Sequence, residues 1–253
     1  MGAGHCIATS DMKYARFLAA LSLSLWITGC QNTAQVGPLT TQRSPTTKLA
    51  LSTPKAGEII FEQLEALLPR RPIVVGFDVD DTLISSTPAF NALEPWYDPD
   101  VIRPADYSKL TAEQKGNYHE FWTKLDDVYD DRSTPKLIAK RLLDLHLARG
   151  DDIWLISTRQ SSMTGIDKCT PRYQRMFNIK FPHGVVFTQL KDKTPFIAER
   201  KIEYYYGDSD SDITAALAAG AVPIRVKRAA GSYAKDIPHN GRLGEIVLKD
   251  SEQ

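Results

Sequence analysis

Cysteine is scarce in this chain, with three in 253 residues: Cys6, Cys30 and Cys169. They form no C-x-x-C pair and have no histidine at zinc-ligand spacing. A structural zinc site is thereby excluded, and a disulfide framework is not expected. Net charge is also lacking. Lys+Arg and Asp+Glu balance at 31 each, so no global field recruits a nucleic acid polymer or an acidic membrane surface. That balance leaves room for a local basic pocket. There is no internal repeat, and the apolar stretch Phe17 to Ile27 is too short to span a bilayer comfortably. What remains is ordinary for a globular core: 42% hydrophobic and 25% charged residues, in a length that suits one α/β domain with a modest insertion.

The N-terminal region reads as an address. Lys13 and Arg16 precede the apolar stretch, which runs into Ile27-Thr28-Gly29-Cys30. A positive segment, a short apolar segment and small residues before a cysteine form an export signal. Its end resembles the bacterial lipobox, which implies lipidation of Cys30 and attachment to a membrane only through that anchor, in the periplasm. Met1 to Asp11 fit no part of such a signal, so translation is expected to start at Met12. Residues 31–56, rich in Thr, Pro, Gln and Ser, read as a flexible tether.

A domain is expected over 57–253. Glu58 to Leu68 carries apolar residues at helical spacing and stops at Pro69. Ile73-Val74-Val75-Gly76-Phe77 is a short, β-branched apolar run of the kind buried on both faces of a parallel sheet. Ile153 to Ile156 and Ile202 to Tyr206 repeat it, with Val185 to Phe187 and Val222 to Val226 as further short strands. Helical stretches at Pro135 to Ala148 and Pro195 to Arg200 alternate with these runs. The pattern predicts a doubly wound, Rossmann-like parallel sheet. Between the first two runs, about Thr87 to Arg132, lies an aromatic-rich segment too long for a simple crossover, read as a small helical cap.

Polar residues with chemical potential follow the strand-like runs directly: Asp78, Ser157 and Asp208. Open parallel sheets bind ligands beyond the carboxyl ends of their strands, so these groups can converge. Asp78-Val79-Asp80-Asp81-Thr82 sets carboxylates two apart just past a strand-like run, where one can act as nucleophile and its neighbour as acid. Gly207-Asp208-Ser209-Asp210-Ser211-Asp212 offers hard oxygen ligands suited to Mg²⁺. An EF-hand calcium loop does not fit, because the required glycine is missing and Ala219 stands twelfth from Asp208, where a glutamate belongs.

Together, Asp78 to Thr82, Ser157-Thr158-Arg159, Lys193 and Gly207 to Asp212 resemble the four motifs of the haloacid dehalogenase superfamily. Further segments narrow the resemblance to bacterial class B acid phosphatases: Ser85-Ser86, Pro88-Ala89-Phe90, Phe121-Trp122, Pro135-Lys136, Arg149-Gly150-Asp151 and Tyr206 to Asp210. It spans about Arg71 to Val226. It implies a magnesium-dependent hydrolase of small phosphomonoesters such as nucleotides, working through an aspartyl-phosphate on Asp78 with Asp80 as acid and base. It implies metal ligation by Asp78, Asp208 and the Asp80 carbonyl, with Asp212 orienting metal-bound water. Phosphate would be held by Ser157, the backbone of Thr158, and Lys193, preferred over Lys191 because the helix at Pro195 to Arg200 then follows it, and a base would stack on Phe90 and Tyr129. A homotetramer is implied as well. The sequence departs from the family in Thr158, where glycine is usual, and in the lipobox. Two other readings compete: a more selective sugar- or cofactor-phosphate phosphatase, and a surface lipoprotein that keeps the fold without turnover. His119, His146 and His183 have no assignable partner.

Overall fold

The computed structural model describes residues 57–161, 165–234 and 236–253. Cys30, the export signal and the expected tether lie outside them. Among the described residues no helix is long and apolar enough to cross a membrane.

The strands are β1 (Gly57–Ile59), β2 (Val74–Phe77), β3 (Ile84–Ser85), β4 (Thr134–Pro135), β5 (Asp152–Ser157), β6 (Val185–Phe187), β7 (Tyr204–Gly207), β8 (Val222–Val226) and β9 (Ile246–Leu248). Seven of them form one parallel sheet in the order β1-β9-β8-β7-β2-β5-β6. The chain steps outward from β2 through β5 to β6, then returns to β7 on the other side of β2. This reversal opens a crevice at the carboxyl ends of β2 and its neighbours, where such sheets bind ligands. The helices are α1 (Phe61–Leu67), α2 (Thr87–Leu93), α3 (Pro99–Ile102), α4 (Ala112–Lys124), α5 (Leu137–Ala148), α6 (Cys169–Phe177), α7 (Thr194–Glu199) and α8 (Asp210–Ala218).

Both faces of the sheet are covered, which is why its strands read as continuous apolar runs. Val75, Phe77, Leu155, Tyr204 and Tyr206 enter the larger core with α1, α5 and α6 residues such as Leu64, Leu142 and Tyr173. Tyr205 and Ile156 enter the opposite core with Ile197 and Ala216 of α7 and α8. Gly76 is required here. A Cβ at this position would lie 2.7 Å from the Tyr205 ring and 2.8 Å from Ile202.

The helix read over Glu58 to Leu68 is corrected at its start. Gly57–Ile59 is an edge strand in register with Ile246–Leu248, and α1 begins only at Phe61. A three-residue run carries too little periodicity to separate strand from helix, and the partner that decides it lies at the far end of the chain. Strands β3 and β4 pair antiparallel, Ile84 with Pro135 and Ser85 with Thr134. This clasp closes the root of the 86–133 insertion, whose helices α2, α3 and α4 surround a separate small core of Phe90, Leu93, Ile102, Phe121 and Leu125.

Candidate active site

The site begins where β2 ends. Asp78 extends the ladder by one bond, donating its N–H to the Tyr206 carbonyl at 2.8 Å. The chain then turns back sharply. Val79 O accepts from Leu83 and Ile84, Asp81 N–H donates to Ile84 O at 2.7 Å, and Asp81 takes a left-handed φ of 56°. Aspartate tolerates that region better than most residues. The turn places Thr82 Oγ1 between Asp78 Oδ2 (3.2 Å) and Asp208 Oδ1 (3.3 Å), bridging motifs that are 126 residues apart in sequence.

The other groups arrive from neighbouring strand ends. Ser157, at the end of β5, is buried, and its Oγ accepts the Arg159 N–H at 3.2 Å. Thr158 is exposed and lines the cavity. Lys193, just before α7, is buried and donates from Nζ to Asp78 Oδ1 and to Asp212 Oδ1 at 2.6 Å, whereas Lys191 is exposed. Asp208 follows β7. Ser209 caps α8: its Oγ accepts from Asp212 N and donates to Asp212 Oδ2 at 2.6 Å. Asp78, Asp80, Thr158, Lys193, Asp208 and Asp212 thus line one cavity of about 640 Å³.

The electrostatics are those of crowded carboxylates. Burial, followed by the charges of Asp212 and Asp208, pushes Asp78 well above the usual carboxylate range against the pull of Lys193. Burial and Asp212 raise Asp208 to about 6, with Arg228 opposing. Burial works against the charge of Lys193, yet Asp212 and Asp78 hold its pKa above the ordinary lysine value. Asp78, Asp208 and Asp212 each offer an oxygen within 4.8 Å of the others, all buried. Close, buried, hard oxygen donors fit a small divalent cation such as Mg²⁺, whose charge would relieve their repulsion.

No family model matches the chain. Against curated proteins, it is 41% identical over 187 residues to the class B acid phosphatase of Marinomonas sp. (strain MWYL1), covering 72% of this chain and 74% of that one. It is 37% identical over 191 residues to the class B acid phosphatase of Klebsiella pneumoniae (strain 342), covering 74% and 76%. The chain belongs to the class B acid phosphatases. Among solved structures, a hydrolase from Pseudomonas syringae has the same fold, with a TM-score of 0.50 at 17% identity over 69% of this chain and 92% of that one.

In this class B acid phosphatase the other residues read from sequence are placed as follows. Asp80 lines the cavity, but its carboxylate turns toward Arg159 and Ser86 rather than toward Lys193. Phe90 does not present a free face. It is buried and covered by Tyr233, ring centroids 3.5 Å apart and planes 9° from parallel. Tyr129 packs against the core of the insertion and lines a separate groove with Trp96, Tyr97 and Val128. The aromatic surface at this cavity therefore comes from Tyr233 and Trp122. Trp122 packs against the core of the insertion and also lines the cavity.

Sequence reasoning missed the segment between β8 and β9 altogether. It brings Arg228 onto Asp208, Ser232 Oγ onto Asp81 Oδ2 at 2.6 Å, and Tyr233 N–H onto Thr87 Oγ1 at 3.1 Å. Arg225, fully buried, holds the Asp208 carbonyl at 2.8 Å and pairs with Asp210 and Glu245. The only local signal for Arg228 was its place two residues past an apolar run. The histidines do have partners: His119 meets Tyr107 and Gln160, His146 meets Asp151 and Tyr206, and His183 meets Asp152.

Proposed function

We propose that this phosphatase hydrolyses small organic phosphomonoesters, nucleotides among them, by two displacements at phosphorus, with Mg²⁺ as cofactor. The observation that carries the reading is the Asp78 carboxylate at the end of the central strand, held by Lys193 and Thr82 inside a cluster with Asp208 and Asp212. In the first step an Asp78 oxygen attacks phosphorus and the bond to the leaving oxygen breaks. Asp80 gives that oxygen a proton. In the second step Asp80 takes a proton from water, whose oxygen attacks the aspartyl-phosphate and releases inorganic phosphate. Lys193 and the Ser157 hydroxyl, with the Thr158 backbone, neutralise and orient the phosphoryl oxygens.

Asp78 and Asp208 would hold Mg²⁺, together with the Asp80 carbonyl. Asp212, bonded to Lys193 and to the Ser209 cap of α8, supports it from behind. Bound there, Mg²⁺ supplies positive charge that lets the nucleophile stay ionised beside an anionic substrate. A nucleotide base entering this cavity meets Tyr233 and Trp122, and base–aromatic stacking is worth about 1–3 kcal/mol whichever base is present.

The decisive variant is Asp78→Asn, in which the amide cannot attack phosphorus. Turnover should fall by several orders of magnitude at an unchanged unfolding temperature, and residual activity within about tenfold of wild type would remove Asp78 as nucleophile. In the wild type, EDTA should abolish hydrolysis and Mg²⁺ restore it. A panel of nucleotides, sugar phosphates and cofactor phosphates tells broad from selective use, a distinction that bears on the side chain of Thr158.

We also propose that the protein is exported and anchored through lipid on Cys30, and that it assembles as a homotetramer. The first follows from the export signal that ends in the lipobox-like Ile27-Thr28-Gly29-Cys30, and the second from the resemblance to class B acid phosphatases. Cys30→Ala should release the protein from the membrane fraction or block its processing, and unchanged fractionation and mature mass would leave an ordinary signal peptide.

A further inference from the structure

Arg159 sits two residues beyond Ser157, where a phosphate ligand would be sought, yet its guanidinium is engaged elsewhere. It is buried, with 2% of its side chain exposed against 18% for Asp80. Nε donates to Asp80 Oδ2 at 2.8 Å and Nη2 to Asp80 Oδ1 at 2.6 Å, a two-pronged fork that fixes the plane of the carboxylate. Nη1 donates to Asp126 Oδ1 at 2.9 Å, and Nη2 also to Asp130 Oδ1 at 3.0 Å. Arginine has five N–H groups, and these four bonds with the Cys169 sulfur 4.0 Å from Nη1 account for all of them. None is left for a substrate phosphate.

Asp126 and Asp130 belong to the insertion, not to the sheet. Asp126 lies in the wide helical turn Leu125–Tyr129 that ends α4, a geometry that is rare and frequent at functional sites. Asp130 follows it and is itself fixed, by Tyr173 Oη at 2.9 Å, Ser133 Oγ at 2.8 Å and Arg172 Nη1 at 3.2 Å. Ser86, at the root of the insertion, donates to Asp80 Oδ1. Among the described residues, every hydrogen bond that holds the Asp80 carboxylate thus leads to the insertion, directly through Ser86 or by way of Arg159.

We propose that Arg159 is the positioning residue of the acid–base step, tying the Asp80 carboxylate to Asp126 and Asp130 so that proton delivery to the leaving oxygen depends on the insertion. This rests on Asp80 being the acid. The role is one of orientation: the buried guanidinium holds the back of the carboxylate while its exposed part faces the cavity. Displacements of about 1 Å in such groups cost about 10²-fold.

The test is the ratio of kcat/KM for 4-nitrophenyl phosphate to that for an alkyl phosphate such as glycerol 2-phosphate. Both values report steps up to formation of the aspartyl-phosphate, and only the alkoxide needs a proton to leave. Arg159→Lys keeps the charge and loses the fork. It should raise the ratio by about tenfold or more, within the usual scale of general acid catalysis, while nitrophenyl phosphate hydrolysis falls much less. In an Asp80→Asn background the same substitution should change the ratio by less than about twofold, because Arg159 acts through Asp80. Equal losses on both substrates for Arg159→Lys would overturn the proposal, as would a further tenfold change in the double variant. If Arg159→Lys does not fold, Asp126→Ala is judged by the same ratio, since it removes one tether and leaves the fork. Asp80→Asn alone separates the two readings: an unchanged ratio there refutes Asp80 as the acid, whereas a raised ratio there with none for Arg159→Lys refutes only the positioning.

Discussion

Gly207→Ala isolates the close packing on which the acidic loop depends. A Cβ at residue 207 would stand 2.3 Å from Asp212 Cβ, 2.7 Å from Cγ and 2.9 Å from Oδ2. Carbon atoms in contact sit about 3.5–4.0 Å apart, so more than 1 Å of relief is needed. Neither partner yields easily. Gly207 is in the interior strand β7, in register with Arg225, and Asp212 is held by Lys193 at 2.6 Å and by the Ser209 cap. Overpacking of this kind costs about 1–3 kcal/mol. At about 2–4 °C per kcal/mol for a domain of this size, the unfolding temperature should drop by roughly 2–12 °C. Asp212 and Lys193 should move with the methyl group, so kcat/KM should fall about 10²-fold. The assays are thermal unfolding in EDTA and hydrolysis of 4-nitrophenyl phosphate across a Mg²⁺ titration. A variant with wild-type unfolding temperature and wild-type kcat/KM would refute the claim that this packing positions the site.

The same exchange at Gly116, exposed within α4 with nothing near its Cβ direction, should stabilise by about 0.5–1 kcal/mol and leave kcat/KM unchanged, as thermal unfolding and the same hydrolysis assay would check. A second prediction concerns Asp126, whose carboxyl is raised by burial to about 7 although Arg159 opposes the shift. The folded state then binds more protons than the unfolded one from about pH 4 to 7, so this group withdraws stability as pH rises through that window, on the order of 4 kcal/mol in all. Asp126→Asn lacks that loss. Its unfolding temperature relative to wild type should therefore improve from pH 4.5 to pH 7.5, and a constant difference would contradict the assignment.

Of the seven strands in the main sheet, β2, β5, β6, β7 and β8 were legible from the chain alone, because burial on both faces turns parallel strands into unbroken apolar runs, and Asp78, Ser157 and Asp208 stand immediately after three of them. That adjacency, a local property, is what marks residues at the carboxyl edge of a sheet. It also made the doubly wound architecture readable, and the motif residues with it. What local pattern could not decide were choices settled by partners far away in sequence. Lys193 reaches Asp78, 115 residues distant, because it points inward ahead of α7 where Lys191 is exposed, a contact that no local pattern contains. Gly57–Ile59 is a strand because Ile246–Leu248 pairs with it. Phe90 is covered because the segment after β8 lays Tyr233 on its ring, and the histidines gain their partners by the same kind of long-range meeting. Arg159 shows the division most plainly. It stands beside Ser157 and Thr158, but its donors are committed by carboxylates 29, 33 and 79 residues away, which only the docking of the insertion onto the sheet could bring to one guanidinium.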